Sequence, residues 1–360
     1  MIDRSNNSGV DAQIGFALQR NTALYLLLEN YEKKFKGKKY FVCIEHHDDF
    51  LFCFLNEKNE AEYIEAYQSK KKAPSSWELN SDLIEIIVKV LSTGQSLIND
   101  KIVKSENYNH ILFFSTNQTI NLKVHEERKR IIKASESIKG DNSLVSFIEL
   151  DEAIKEKISN DITEINLKSQ LDNLKFIWID LNDTVEKQEN ELVGQIDRVF
   201  KSKIYNPRAA LNTIIKLFQD VEYIYNQKNK VKLLDESKRV TSKKIEDTFN
   251  LLTTKSKCFD YWHNQSREVS IALRIKPLDR ENFEFTFNSA FDFFKCYNHA
   301  EHRRILEFVK ENLSNCKTYT NEENVAELIS LHNKTNSTPL GEIELKAVIF
   351  AAFYEVTFKH

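Results

Sequence analysis

Hydrophobic residues recur with two different spacings in the first part of this chain. Residues 14–35 carry apolar side chains at helical spacing, and Gly37 follows them, which predicts a helix that ends there. Three aromatic and β-branched runs of strand length come next: residues 40–44, 50–55 and 62–68. The polar residues 56–60 separate the last two runs and predict a hairpin.

A second helix and a fourth strand complete this pattern. Apolar residues at helical spacing predict a helix over residues 77–91, closed by Gly94. Residues 110–115 are apolar throughout, as in an interior strand of a sheet. The order is then helix, three strands, helix, strand, which resembles the common core of PD-(D/E)XK restriction-endonuclease-like nucleases. We therefore predict an α/β (α+β) fold of that class, with a mixed sheet flanked by helices.

The C-terminal region is predicted to be mainly α-helical. A charged helix is expected over residues 235–257, and two apolar helices over residues 283–294 and 303–313. Residues 342–358 are a final, strongly apolar helix or strand. The run 347–353 within it is either part of a docking surface for a partner or simply core.

The division into domains follows from this change of pattern. We predict a nuclease domain with a helical extension over residues 1–220, and a helical partner-docking or regulatory domain over residues 221–360. From Gln195 onward the chain contains a single glycine, Gly341. The glycine-rich phosphate loops of many nucleotide-binding α/β domains are therefore missing.

Two polar motifs lie at the ends of neighbouring predicted strands. The acidic stretch of residues 45–49 (EHHDD) opens the second strand, and Gln68 and Lys70 close the third. Because strand side chains alternate between faces, Gln68 and Lys70 project together, roughly 7 Å apart. An antiparallel hairpin places the start of one strand beside the end of the next, which brings Asp49 to both.

This set of residues matches the needs of phosphodiester cleavage. Asp49 would anchor Mg²⁺, Gln68 would give a second oxygen ligand, and Lys70 would orient the attacking water or stabilise charge at phosphorus. Oxygen ligands suit Mn²⁺ as well as Mg²⁺. Since Gln68 is neutral, Glu45 or Asp48 is expected to supply the missing negative charge. The plain alternatives remain a turn cap for the acidic pair and a chance Gln-x-Lys.

Other features of composition narrow the class of protein. Adjacent histidines on a strand point to opposite faces, so His46 and His47 make a poor chelate. With 51 Lys and Arg against 54 Asp and Glu, the net charge of -3 disfavours wrapping of DNA over the whole surface. A local basic rim suffices for a nuclease, and Lys71 and Lys72 directly after the motif are candidate DNA-binding residues.

We expect a cytoplasmic protein whose cysteines are reduced. No apolar run approaches the ~20 residues that span a membrane, and the first residues are polar, without the apolar segment of a signal peptide. The five cysteines lie far apart and form no C-x-x-C pair. We therefore expect no membrane association.

Four segments together carry a family resemblance: IGFALQRNTALYLLL, IEHHDDFLFCFL, EAYQSKKK and HILFFSTN. They resemble the effector endonuclease domain of bacterial CBASS defence proteins, which also occurs in the nuclease subunit of Lamassu, an SMC-based anti-phage system. The resemblance covers roughly residues 10 to 220, including residues 176–200 and the helical segment from Pro207. It implies a metal-dependent nuclease that degrades double-stranded DNA.

The resemblance also implies a role for individual residues. Asp49 would be the metal-binding aspartate, Gln68 the second ligand and Lys70 the catalytic lysine. Gln19 matches the glutamine of the family's first helix and would support the site. Glu45 and Asp48 match flanking acidic positions whose roles stay unseparated.

The C-terminal region decides which control system is expected. CBASS endonucleases carry a cyclic-oligonucleotide sensor built from Rossmann-like halves, whereas this region is helix-rich and poor in glycine. That favours a Lamassu-like subunit, held inactive by an SMC-like ATPase complex and self-associating once it is released. The alternatives are a cyclic-oligonucleotide-activated CBASS effector, and a nuclease-like subunit that has lost activity and serves as a DNA-binding or structural component.

Overall fold

The structure is a computed structural model. It describes residues 8–46, 49–71, 76–126, 131–204, 206–222, 236–294 and 300–357. The chain divides into two compact units: Met1–Val199 with Leu211–Ile245, and Phe200–Ala210 with Glu246–His360. Within the described ranges, no helix is both long enough and apolar enough to cross a membrane.

Ten strands and ten α-helices are described. The strands are β1 (Tyr40–His46), β2 (Asp49–Leu55), β3 (Ala61–Ser69), β4 (Trp77–Glu78), β5 (Lys104–Thr116), β6 (Ile120–His125), β7 (Ile132–Ile138), β8 (Leu144–Ser146), β9 (Leu174–Trp178) and β10 (Arg239–Thr241). The helices are α1 (Ser8–Glu29), α2 (Ser81–Asn99), α3 (Glu152–Asp161), α4 (Val185–Phe200), α5 (Pro207–Glu222), α6 (Ser242–Ala272), α7 (Arg280–Phe293), α8 (Ala300–Asn312), α9 (Asn321–Thr335) and α10 (Glu342–Thr357).

A seven-stranded mixed sheet is the centre of the first unit. Its strand order is β10-β1-β2-β3-β5-β9-β8. The β1–β2 and β2–β3 pairs are antiparallel, whereas β3–β5 and β5–β9 are parallel. Strands β4, β6 and β7 form a second, three-stranded sheet. The predicted mixed α/β architecture and the order of the first elements are confirmed, with the short β4 added.

The first helix differs from its predicted length. We expected one helix over residues 14–35, but α1 ends at Glu29 and a π-helix follows at Tyr31–Phe35. The wider turn lets the Phe35 ring pack against Tyr40 and Phe52, with ring centroids 5.0 and 4.9 Å apart. Tertiary packing therefore sets the geometry of the last turn.

The second helix corrects the prediction for residues 77–91. Trp77 lies in β4, and α2 begins after Asn80, whose side chain accepts a hydrogen bond from the Leu83 amide at 3.2 Å. Gly94 does not end the helix but lies inside it. A Cβ at this position would lie 2.6 Å from Leu112 Cδ1 and 2.7 Å from Gln170 Oε1. The glycine is needed because α2 approaches β5 closely, not because the helix stops.

The second unit is described as helical throughout, as predicted for the C-terminal region. Helix α10 packs against α7, α8 and α9. Residues 347–353 are all buried in this unit's hydrophobic core, so the alternative that this run is core is confirmed. The predicted helix over residues 235–257 begins late, because a 3-10 turn and β10 precede α6.

Substituting Gly94 tests the close approach of α2 to β5. Gly94→Ala should lower the stability of the protein by about 1–3 kcal/mol, because the new methyl group overlaps Leu112 and Gln170. Gly194→Ala is the matched control, since a Cβ at this helical glycine meets nothing within 4 Å. The free energy of unfolding of that variant should rise by about 0.4–1 kcal/mol. Urea titration of both proteins measures the difference, and equal effects would contradict the packing argument.

Candidate nuclease site

The start of β2 lies beside the end of β3. Phe50 pairs with Tyr67 and Leu51 with Ala66 in an antiparallel ladder. Extending this register by one residue places the backbone of Asp49 opposite that of Gln68. Tyr67 pairs in turn with Phe113 of β5, in parallel orientation. The end of the sheet at which Asp49, Gln68 and Lys70 lie is thus fixed by two ladders that share β3.

Three stacked rings hold this register. The Phe50 and Tyr67 centroids are 4.9 Å apart with ring planes at 7°, and the Tyr67 and Phe113 centroids are 4.4 Å apart at 5°. These rings are direct cross-strand partners, which is where side chains stabilise a sheet most. A slip by one residue would break the stack and turn every side chain of the strand to the other face.

Gln68 is buried on the sheet face that α2 covers. It is 3% exposed and lines a cavity of about 10 Å³ together with Val90 and Thr93 of α2. Its amide Nε2 is buried and has no hydrogen-bond partner among the described residues. Buried polar groups normally have at least one hydrogen-bond partner, so this N–H donor is an exception; it could donate to an oxygen of a substrate, whereas a cation would be bound by Oε1.

Lys70 directly follows β3 and stays tied to the sheet by its backbone. Its amide donates to the Ser115 carbonyl at 3.0 Å, and the Ser69 and Ser115 hydroxyls are 2.7 Å apart. The side chain is partly exposed. It makes no ion pair with any side chain that the structure describes.

Of the remaining predicted residues, the structure describes Gln19, the backbone of Glu45, and Lys71. Gln19 is buried on α1. Glu45 lies in β1 by its backbone. The exposed Lys71 donates from Nζ to the backbone carbonyl of Asp183 at 2.6 Å, so this predicted DNA-binding side chain is engaged with the loop after β9. Asp48 and Lys72 lie outside the described residues.

A buried carboxylate that the sequence did not single out lies on the opposite face of β3. Glu65 accepts hydrogen bonds from Lys34 Nζ at 2.5 Å and from the Tyr63 and Tyr67 hydroxyls at 3.0 Å. Burial, and then the charge of Glu65, raise the pKa of both tyrosines above its usual value, so both hydroxyls stay protonated and donate. The alternating Tyr-x-Glu-x-Tyr pattern is the signal that could have revealed this cluster.

The donor set at the strand ends fits a hard divalent cation. A carboxylate and an amide oxygen are ligands that Mg²⁺ and Mn²⁺ accept. At Gln68 the metal ligand would be Oε1, because Nε2, the buried atom without a hydrogen-bond partner among the described residues, is a donor and cannot bind a cation. Among the side chains that the structure describes, no group of three or more His, Cys, Asp or Glu could hold a metal ion.

Comparison with known proteins identifies the class of the domain. The family model described as "Cap4, dsDNA endonuclease domain" matches residues 7–222, more than half of the chain. The match supports a defence-associated DNA nuclease and covers the strands and helices that form the candidate site. No curated protein and no solved structure matches this chain.

Substitutions of Tyr67 separate its hydrogen bond from its stacking. Tyr67→Phe removes one hydrogen bond to Glu65 but keeps the ring stack, and should cost about 1 kcal/mol of stability. Tyr67→Leu removes the stack as well and should cost a further ~1–3 kcal/mol. Urea unfolding gives the energies, and amide exchange of β2 reports the register. Equal stability and exchange in the two variants would contradict a role of the stack in fixing the register.

Proposed function

This chain belongs to the family of the Cap4 dsDNA endonuclease domain, and on that premise we propose that it is a metal-dependent endonuclease with a PD-(D/E)XK core. Its substrate is double-stranded DNA, which it degrades in defence against phages or plasmids. The observation that carries the proposal is the register of β2 and β3, which brings the backbone of Asp49 opposite that of Gln68, with Lys70 two residues further on.

Each residue has a distinct part in the proposed reaction. Asp49 and Gln68 would hold Mg²⁺ or Mn²⁺, and the bound ion would neutralise charge on the scissile phosphate and acidify a water. The Lys70 ammonium orients the attacking water or stabilises the negative charge that develops at phosphorus. Gln19, Glu45 and Asp48 support the ligands. Lys71 and Lys72 would contact phosphates of the DNA backbone, which fixes its position without reading sequence.

We further propose a Lamassu-like mode of control. All elements described between Glu246 and Thr357 are helices, which favours docking onto a protein partner over a cyclic-oligonucleotide sensor of Rossmann-like halves. An SMC-like ATPase complex would hold the subunit inactive, and release would allow self-association that pairs two sites for cutting both strands. The family match is equally consistent with a cyclic-oligonucleotide-activated CBASS effector, which stays the second candidate.

Removing the lysine or the metal tests the site. The full-length protein should nick and linearise plasmid DNA with Mg²⁺ or Mn²⁺ and stop when EDTA is added. Lys70→Ala should lower the rate by at least about 100-fold, because it removes the charge that stabilises the transition state. Lys36→Ala, which alters an exposed ion pair with Glu32, is the matched control and should cut normally.

Two results would contradict the proposed site. Unchanged cutting by Lys70→Ala would exclude this lysine from the reaction. Failure of the wild-type protein to cut with either ion would favour the alternative of an inactive, DNA-binding or structural subunit.

The dependence of cleavage on protein concentration and on cyclic oligonucleotides distinguishes the Lamassu-like mode of control from the CBASS-type mode. Cleavage by the isolated protein should rise more steeply than linearly with protein concentration, because two copies must pair, and added cyclic oligonucleotides should leave it unchanged. Plasmid assays alongside light scattering measure both effects. Full activity in a strictly monomeric form would contradict self-association. Activation by a cyclic oligonucleotide would establish the CBASS-type alternative.

A further inference from the structure

The outermost strand beside β1 comes from outside the segment that matches the nuclease family. The match ends at residue 222, whereas β10 is Arg239–Thr241. This strand pairs antiparallel with β1 over three residues: Phe41 with Thr241, Val42 with Val240, and Cys43 with Arg239. The nuclease sheet is therefore completed by a later part of the chain.

Three side-chain contacts join β1 to residues 239–242, which are β10 and the first residue of α6. Val42 and Val240 are cross-strand partners, and both are 0% exposed. The Arg239 guanidinium lies 4.3 Å from the centroid of the Phe41 ring, a cation–π contact. The Tyr40 amide donates to Ser242 Oγ at 3.3 Å. Since Ser242 is the first residue of α6, both β10 and the start of α6 contact β1.

Strand β1 leads directly into the candidate site. Its last residue, His46, pairs with Asp49 at the start of β2, and the register shifts between Ile44 and His46. Such an irregularity weakens the ladder locally. Without β10, β1 would be an edge strand, and edge strands with few partners open more readily. Metal ligands must be held to within about 0.5 Å, so opening of β1, whose residue His46 pairs with Asp49, would displace Asp49.

We infer that β10 positions the nuclease site, with Arg239 and Ser242 as positioning residues. They act through β1 on the placement of Asp49 and touch neither substrate nor metal. This inference rests on the proposed function, because it concerns that site. Helix α6 follows β10 without a linker, and the boundary between the two units falls inside this helix. Residues 239–242, which follow the matched segment, are thus part of the scaffold of the site.

Amide exchange of the full-length, metal-free protein tests the structural step. The double variant Arg239→Met with Ser242→Ala removes the cation–π contact and the hydrogen bond but keeps the buried valine pair. Exchange in peptides covering residues 40–55 should become at least about tenfold faster, as expected when an edge strand opens locally. Peptides of β5 should stay unchanged. Arg198→Met, at an exposed arginine of α4, is the control and should leave all of them unchanged.

Metal titration of plasmid cleavage tests the functional step. The half-saturating Mg²⁺ concentration should rise by about 10-fold or more, the usual effect of losing groups that orient metal ligands. The rate at saturating Mg²⁺ should stay within about threefold of wild type, because the ligands themselves are intact. Arg239→Lys keeps a cation over the ring and should restore most of the wild-type metal dependence.

The outcomes separate this inference from the proposed function. Unchanged exchange in residues 40–55 would overturn the inference, and so would faster exchange with unchanged metal dependence. If the wild-type protein does not cut DNA, the proposed function fails, while exchange alone still decides whether β10 holds the hairpin. If the double variant does not fold, Ser242→Ala alone carries the same comparison, since it removes a single hydrogen bond.

Discussion

The candidate site depends on the register between β2 and β3, and that register depends on three stacked rings. Phe50, Tyr67 and Phe113 are cross-strand partners with nearly parallel planes. Because side chains alternate along a strand, a shift by one residue would send Gln68 to the other face and separate it from the start of β2. The rings thus place two motifs, an acidic stretch and a Gln-x-Lys, at one end of the sheet. Each motif alone is a weak sequence signal.

The side chains on the two faces of β3 make different contacts. On one face Glu65 receives hydrogen bonds from Lys34, Tyr63 and Tyr67, and this network anchors the strand without using any group of the site. On the other face Gln68 lies under α2, and its Nε2 has no hydrogen-bond partner among the described residues. Gly94 allows α2 to approach β5, and β10 gives β1 a second neighbour. The Glu65 network, Gly94 and β10 come from distant parts of the chain, and all three stabilise the same sheet.

The sequence predicted what local patterns encode. The order of the first elements follows from aromatic and apolar periodicity, and the structure confirms it. The first three strands lie within two residues of their predicted bounds, but β5 begins at Lys104, six residues before the predicted strand over residues 110–115. The predicted end of α2 was wrong. Gly94 allows α2 to lie close to Leu112 and Gln170, and no local sequence pattern reveals that contact. Strand β10 was missed because three residues carry too little periodicity, and its pairing spans nearly 200 positions of the chain. The roles of Asp49, Gln68 and Lys70 remain predictions, since they need the chemistry and not only the placement.

The position of a bound Mn²⁺ ion tests the central claim most directly. Crystals grown with Mn²⁺ give an anomalous peak that locates the ion without reference to activity. The peak should lie about 2 Å from a carboxylate oxygen of Asp49 and from Oε1 of Gln68. A peak that contacts Asp49 but lies away from Gln68, or one at a different end of the sheet, would contradict the proposed site.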